Sequence, residues 1–231
     1  MLTTNAESVP NRGQPFYSEW HRLFLADMAR KHELTSTVYQ LRIHLRGVSP
    51  PIWRRLRVPA DTTIKRLHEV IQAAMGWEDI HLHVFTIRGQ WYGVPREGAL
   101  SLHAGSEDLK LSAFNLQLQE RFTYEYDFYS HWHHDIRLER ILPASPTQAL
   151  PVCIAGRGAC PPEDSGPPER YMRLLDERSV YDLIELLQEE VERVDFARDD
   201  LVDLLEEWWP WIQDFDRKRV NLHLRNPMHC G

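Results

Sequence analysis

The sequence predicts an α+β domain, with a mixed, mostly antiparallel sheet, one crossing helix and a helical C-terminal segment. Apolar and polar residues alternate in several segments of the first 143 residues, as they do in half-buried strands. One segment between these strands has apolar residues at helical spacing. Residues 163–216 then carry eighteen acids against five arginines. The order strand, strand, helix, strand loosely resembles the β-grasp plan.

The first elements follow from this alternation. Residues 37–46 form a half-buried strand, residues 47–51 a turn with two prolines, and residues 52–58 the returning strand, with Leu56 and Val58 facing inward. A helix follows, capped by Asp61 or Thr62 and ended by Gly76.

Further strands are predicted at residues 81–88, 122–128 and 132–142. Helices are expected to begin at Ser179, at Asp199 or Asp200, and at Arg217. Three tryptophans near the last of these, Trp208, Trp209 and Trp211, suit either a core or a partner contact.

The 231 residues suit one large domain with a helical appendage. We expect a lead with a short helix at 1–36, the domain at 37–225 and a tail at 226–231. Within the domain we expect a sheet and helix core at 37–143, an irregular Pro/Gly/Cys loop at 144–168 and acidic helices at 169–225.

Composition excludes several classes of protein. The net charge of −7 argues against a dedicated nucleic-acid binder, although residues 42–66 are locally basic. No apolar run approaches the roughly 20 residues of a membrane span, and the first 15 residues lack the apolar core of a secretory signal. Three cysteines suit a reducing compartment. We therefore expect a cytoplasmic protein without a membrane partner, as a monomer or homodimer.

Metal binding is the most specific chemical hypothesis. Cys153 and Cys160 could join His81 and His83, which lie two apart on a predicted strand and so would face the same way. A further group of histidines, at 131, 133 and 134, begins another strand. Zinc is the expected metal if one is bound, but a six-residue spacing is not that of a zinc ribbon, and we favour cysteines that pack a buried loop.

His134 has two interpretations. Strand parity places it on the apolar face with Trp132, which favours a hydrogen-bonded core histidine. The alternative is a base or ligand paired with Asp127, which parity opposes.

Two surface candidates remain. Trp53, Arg54 and Arg55 could bind nucleic acid by stacking and phosphate contacts, but we favour a strand start with both arginines on the rim of the core. Glu163 and Asp164 follow two prolines, which either fix two carboxylates at a pocket or stiffen a surface loop.

A set of motifs along the chain resembles the plasmid pRiA ORF-three-like family, also labelled insertion-element passenger TnpR-like. They are PPIWRR at 50–55, LHEVIQAAMGW at 67–77, HLHVF at 81–85, YEYDF at 124–128, Trp132 with His134, ILP at 141–143, and the segment from Cys153 to Asp164 that contains Cys160-Pro-Pro-Glu-Asp. The resemblance covers about residues 38–224. It implies an α+β domain from bacteria, archaea or plasmids.

The chain departs from the family pattern at Tyr129-Ser130, where Gly-Asp is common, and at Ser165, where the family often has cysteine. The resolvase-like label finds no support in a Tyr-x-Arg-x-Ser arrangement. No complete catalytic constellation is evident. The leading hypothesis is therefore a non-enzymatic binding protein of mobile-element origin, with a protein partner or nucleic acid such as DNA. The alternative is a metal-dependent, hydrolase-like enzyme that uses a Cys/His/Asp cluster.

Overall fold

A computed structural model describes residues 37–93, 105–145, 147–178, 180–192, 201–205, 208 and 213–226. The strands are β1 (Thr37–Leu45), β2 (Trp53–Pro59), β3 (His83–Ile87), β4 (Gln90–Tyr92), β5 (Arg121–Tyr126), β6 (Trp132–Pro143) and β7 (Val152–Arg157). The helices are α1 (Ile64–Met75), α2 (Pro168–Glu177), α3 (Val180–Glu192) and α4 (Arg217–Arg225), with short 3-10 turns at Ser106–Asp108 and Leu111–Phe114. Residues 201–205 are also helical.

The described strands form one sheet in the order β4-β3-β5-β6-β1-β2-β7, and every pairing in it is antiparallel. The predicted α+β class and the crossing helix are confirmed. The expected mixed sheet is antiparallel throughout its described strands, because β1 runs opposite to both β2 and β6. Successive side chains point to opposite faces, so one face forms the core and the other carries mostly polar groups.

Helix α1 covers the apolar face of the sheet. Its N-cap is Thr63, one residue beyond the predicted caps, and the Thr63 hydroxyl accepts a hydrogen bond of 3.1 Å from the backbone N–H of Arg66. Gly76 ends the helix as predicted, at a φ of 88° that favours glycine. The buried stripe of the helix includes Ile64, Leu67 and Ile71, and each such side chain contributes about 2 kcal/mol by leaving water.

The segment 144–168, predicted to be irregular, contains the edge strand β7. Small residues in its sequence weaken the alternation that would have revealed it. Asn221 of α4 protects this edge: its side-chain oxygen accepts from the backbone N–H of Cys153 at 2.8 Å, and its amide donates to the Cys153 carbonyl at 2.9 Å. The side chain thus takes the place of a neighbouring strand at this position.

Several predictions for the two ends of the chain lie outside the described residues. These are the lead at 1–36, the cap residues Ser179, Asp199 and Asp200, the tryptophans Trp209 and Trp211, and most of the tail. Trp208 is buried and Arg178 lies over its ring, 5.9 Å from the centroid. The last predicted helix is present as α4, capped by Asp216.

Candidate functional site

A group of polar and aromatic side chains converges at one end of the sheet, where β3 begins and β5 ends. The register pairs His83 with Tyr126, and Tyr126 in turn with Trp132 of β6. The loop between α1 and β3 (residues 76–82) and the loop between β7 and α2 (residues 158–167) both reach this end of the sheet. We call this group, on the core face of the sheet, the sheet-end cluster.

The most buried part of the sheet-end cluster consists of His68, Asp79 and His83. The imidazole Nε2 of His68 lies 2.8 Å from a carboxylate oxygen of Asp79, and the rings of His68 and His83 stack with centroids 3.5 Å apart and planes 8° from parallel. One ligand atom from each residue lies within 4.8 Å of the other two. His68 and His83 are 2% and 5% exposed.

A hydrogen-bonded chain leads to this triad through Tyr124. The Gln72 amide donates to the Tyr124 hydroxyl at 2.9 Å, and the hydroxyl lies 2.8 Å from Nδ1 of His68. The assignment that satisfies each group has Tyr124 donating to Nδ1 and the Nε2–H of His68 donating to Asp79. These hydrogen bonds therefore hold the His68 ring in one orientation and favour this tautomer.

A more exposed part of the cluster surrounds His81. Its Nε2 lies 3.0 Å from a carboxylate oxygen of Asp164, and its Nδ1 lies 3.8 Å from Asp127. The two carboxylates therefore flank one imidazole whose side chain is 28% exposed. This is the arrangement of a histidine oriented by acids for proton transfer.

Besides the contact between His81 and Asp164, three further hydrogen bonds hold the loop after β7 against the cluster. The indole N–H of Trp77 donates to the Pro161 carbonyl at 2.8 Å, and the backbone N–H of Glu78 donates to Glu163 at 2.6 Å. The hydroxyl of Tyr126 donates to the same carboxylate. The Trp77 ring also stacks on Tyr126, with centroids 4.9 Å apart.

Three aspartates of the cluster have left-handed backbone conformations. The φ angles are 59° for Asp79, 57° for Asp127 and 62° for Asp164. This region is uncommon for residues other than glycine, although aspartate tolerates it better than most. Backbone strain of this kind concentrates at functional sites, where it aims a side chain that regular structure would point elsewhere.

The predicted residues His81, His83, Asp127, Glu163 and Asp164 thus lie in one cluster, but not in the predicted pairs. His81 and His83 have different partners: His81 lies between Asp164 and Asp127, whereas the His83 ring stacks on that of His68. Asp127 follows the end of β5, and its contact is with His81 rather than with His134.

The cysteines lie outside this cluster of ligands. Cys153 contacts Asn221 and the Ala155 carbonyl, whereas the Cys160 thiol lies 3.0 Å from the Met75 sulfur. Neither forms a disulfide. Burial raises the pKa of the Cys160 thiol to about 11, so it stays protonated. Among the described residues, neither group of three ligand atoms within 4.8 Å includes a cysteine.

His134 and Trp132 belong to the core beneath the cluster. Nδ1 of His134 lies 2.9 Å from the Trp132 carbonyl, and its ring contacts Trp77 edge-on at 5.5 Å. Burial lowers the pKa of His134 to about 3, so the imidazole is neutral at physiological pH.

The arginines that follow Trp53 differ in their surroundings. Arg54 was expected on the rim but is only 2% exposed: its guanidinium donates to the carbonyls of Ala74 and Arg157 at 2.9 and 3.0 Å and lies 4.7 Å from the Phe215 ring centroid. Arg55 forms an ion pair with Glu139 on the polar face, and its guanidinium lies over the Trp53 ring, 5.3 Å from the centroid. Arg54 therefore cannot contact a phosphate in this conformation.

Four central residues of the cluster were not selected as site candidates from the sequence: His68, Asp79, Tyr124 and Tyr126. His68 carried a usable signal. Together with Gln72 it lies on the apolar stripe of α1, where the other buried residues are hydrophobic. A polar pair on such a stripe needs buried partners, whereas Asp79 in a loop has no comparable signal.

Ser165 marks one of the departures from the family pattern. Its hydroxyl donates to the Pro162 carbonyl at 2.7 Å and so closes the turn that presents Glu163 and Asp164. The other departure is the pair Tyr129 and Ser130. The side chain of Tyr129 is exposed, whereas Ser130 is buried.

Two surface grooves of about 400 and 300 Å³ lie elsewhere, one between β7 and α4 and the other beside the start of α1. Among the described residues, none of the helices has the length and apolarity that a membrane crossing requires.

Comparisons with known proteins agree with the motifs described above. The chain is 39% identical over 145 residues to uncharacterized protein y4hQ of Sinorhizobium fredii, covering 62% of this chain and 74% of that protein. A crystal structure of a protein of unknown function from Methanosarcina mazei Go1 matches with a TM-score of 0.56 and 33% identity, covering 79% of this chain and 97% of the other. The family model described as plasmid pRiA4b ORF-3-like protein matches residues 37–223, and the chain therefore belongs to that family.

Proposed function

We propose that this protein is a metal-dependent enzyme of hydrolytic type, with His68, Asp79 and His83 as the ligands of one divalent transition-metal ion. The observation that carries the proposal is the approach of these three ligand atoms to within 4.8 Å of one another in a buried site. The proposal replaces the cysteine-containing cluster that the sequence offered as an alternative, because the cysteines contact other groups.

The donor set suits zinc or iron. Two imidazoles and one carboxylate are ligands of catalytic zinc and of the non-haem iron triad, and both leave a coordination position for substrate. The Tyr124 hydroxyl would act as the outer partner that orients a ligating histidine.

Binding an ion requires two local changes. The His68 proton must move from Nε2 to Nδ1, since a ligating nitrogen offers its lone pair, and the Nδ1–H would then donate to the Tyr124 hydroxyl. The stacked rings must also turn, because an ion between parallel planes 3.5 Å apart would lie out of both.

His81 supplies the acid–base part of the proposal. It is the more exposed histidine of the cluster, is flanked by Asp127 and Asp164, and contacts the Tyr126 ring at 5.7 Å. The His68 ring lies 6.5 Å from the same tyrosine. The ion would polarise a substrate oxygen, and His81 would transfer a proton at the solvent side.

Metal binding is tested first, by elemental analysis and calorimetry with Zn²⁺ on protein purified without chelator. The informative variant is Asp79→Asn, because asparagine tolerates the left-handed backbone and still accepts from His68 while it lacks the negative charge. We expect the buried ion to be lost in Asp79→Asn and in His83→Ala, and to be retained in the double variant Cys153→Ser with Cys160→Ser. Equal metal content in Asp79→Asn and the unaltered protein would overturn the ligand assignment.

Activity is tested next, on the metal-loaded protein with ester, amide and phosphoester substrates. We expect turnover that His81→Ala abolishes without loss of the ion. A protein that binds the ion and turns over none of the three classes would contradict the enzymatic proposal and favour the non-enzymatic binding hypothesis.

A further inference from the structure

A second group of potential metal ligands lies on the hairpin formed by β5 and β6. Nδ1 of His131 lies 2.7 Å from one carboxylate oxygen of Glu125, and Nδ1 of His133 lies 3.8 Å from the other. One ligand atom from each residue lies within 4.8 Å of the other two. Nothing in the proposed enzymatic site uses these residues.

The hairpin itself positions the three side chains. Glu125 and His133 face each other directly across the β5–β6 ladder. His131 precedes β6 in a left-handed conformation, with φ of 54°, and its backbone N–H donates to the Asp127 carbonyl at 2.7 Å. This tight turn brings the His131 ring alongside that of His133, with planes 10° from parallel and centroids 5.9 Å apart.

The group lies on the opposite face of the sheet from the sheet-end cluster. Tyr124 and Tyr126 point into the core, so Glu125 between them points to the other face. The same alternation separates His133 from the buried His134 next to it. The histidines predicted from the sequence to form one cluster are thus divided between the core and the surface.

The geometry and exposure suit an exchangeable ion. The side chains are 60% exposed at His131, 42% at His133 and 22% at Glu125, so water can complete the coordination shell. The Nδ1 atoms of the two histidines lie against the two oxygens of one carboxylate, and these exposed rings can turn so that both nitrogens point to one ion. Imidazole nitrogen with one carboxylate favours Cu²⁺, Ni²⁺ and Zn²⁺ over Mg²⁺ or Ca²⁺.

We propose that Glu125, His131 and His133 form a second, solvent-exposed binding site for a divalent transition-metal ion, independent of the buried triad. It is built on a surface hairpin, so its ligands can be replaced without opening the core. The two sites therefore separate cleanly by mutation.

The experiment is equilibrium dialysis of the full chain against Ni²⁺ and Zn²⁺, with bound metal measured by elemental mass spectrometry. The probe variant is His131→Ala with His133→Ala, the carboxylate variant is Glu125→Gln, and the matched control is His223→Ala, a histidine of α4 that belongs to neither cluster. Circular dichroism checks that each variant keeps its fold.

We expect the double variant and Glu125→Gln each to lose one equivalent of metal relative to the unaltered protein, while His223→Ala loses none. The equivalent should also be lost on brief chelation, because the site is exposed. Equal metal content in the double variant and the unaltered protein would overturn the second site.

The two metal proposals fail separately. Asp79→Asn removes only the buried ion, so a protein that keeps its exposed equivalent in Asp79→Asn supports the hairpin site whatever the buried triad does. Loss of every equivalent in Asp79→Asn would contradict an independent second site.

Discussion

The hydroxyl of Tyr126 donates a hydrogen bond to the carboxylate of Glu163, and this pair ties the end of β5 to the loop that follows β7. The same hydroxyl accepts a hydrogen bond of 3.2 Å from the backbone N–H of His81. Burial, with Glu163 beside it, raises the pKa of Tyr126 well above its usual range. The phenol therefore remains a donor at any physiological pH, and three chain segments meet at one oxygen atom.

Replacing Tyr126 by phenylalanine should release this loop. We expect Tyr126→Phe to lower the free energy of unfolding by about 2 kcal/mol, because a hydrogen bond to a charged partner is lost and Glu163 loses a donor. Thermal unfolding measures the loss, and hydrogen exchange should report faster exchange at residues 163–165.

The matched control is Tyr129→Phe, which removes a hydroxyl from a side chain that is 86% exposed. This variant should unfold within about 0.5 kcal/mol of the unaltered protein. Similar losses in both variants would contradict the special role of the Tyr126 hydroxyl.

Arg54 should act on stability rather than on nucleic-acid affinity. Its guanidinium satisfies the Ala74 carbonyl at the end of α1 and the Arg157 carbonyl of β7. We expect Arg54→Met to destabilise the fold by about 3 kcal/mol, because both carbonyls lose a charged donor inside the protein. Chemical denaturation measures the change.

Arg57→Met is the control for Arg54, since Arg57 lies on the polar face of the same strand and donates to Gln40 at 3.3 Å. Its replacement should cost less than about 1 kcal/mol. An Arg54→Met variant as stable as Arg57→Met would show that the buried guanidinium contributes little.

His134 predicts a loss of stability in acid. Burial lowers the pKa of His134 from 6.5 to about 3. The unfolded chain therefore binds a proton at this histidine below about pH 6.5, whereas the folded chain binds it only below about pH 3. The free energy of unfolding should therefore fall as the pH decreases through this interval.

Denaturation at several pH values between 7.5 and 3.5 tests this, with His134→Gln as the variant. Its stability at pH 7.5 reports the packing cost, and its dependence on pH should be shallower than that of the unaltered protein. An identical slope would show that His134 does not couple folding to protonation.

Glu139 should contribute to stability at a lower pH. Burial alone would raise its pKa, but hydrogen bonds from Arg55 and Gln40 outweigh this and lower it to about 2. Because the folded pKa lies below the unfolded value of 4.5, the carboxylate stabilises the fold above pH 4.5, and this contribution is lost as the pH falls toward 2.

We expect Glu139→Gln to cost about 2 kcal/mol at pH 7 and much less near pH 2.5, because only the ionised carboxylate pairs strongly with Arg55. Urea denaturation at the two pH values checks the difference. A cost that does not change with pH would exclude the ion pair as its cause.

The orientation of the side chains of β2 could be predicted only in part from the sequence. Leu56 and Val58 were correctly predicted to face inward, and the same parity places Arg54 on that side. The positive charge suggested the rim instead. Only the tertiary structure provides the helix end and the β7 carbonyl that satisfy a buried guanidinium.

The residues of the sheet-end cluster show a similar division. His81, His83, Asp127, Glu163 and Asp164 could be selected from the sequence, because these residue types stand beside turns and strand ends. Their actual contacts could not, because left-handed aspartates reorient the side chains against strand parity.

The sequence by itself determined the α+β class, the crossing helix and most strands, because each depends on periodicity and caps within a few residues. The tertiary structure decided which side chains meet. His68 comes from a helix, Asp79 from a loop and His83 from a strand, and their approach depends on how α1 packs across the register of β3 and β5. Such contacts join residues through packing, which no local pattern of residues encodes.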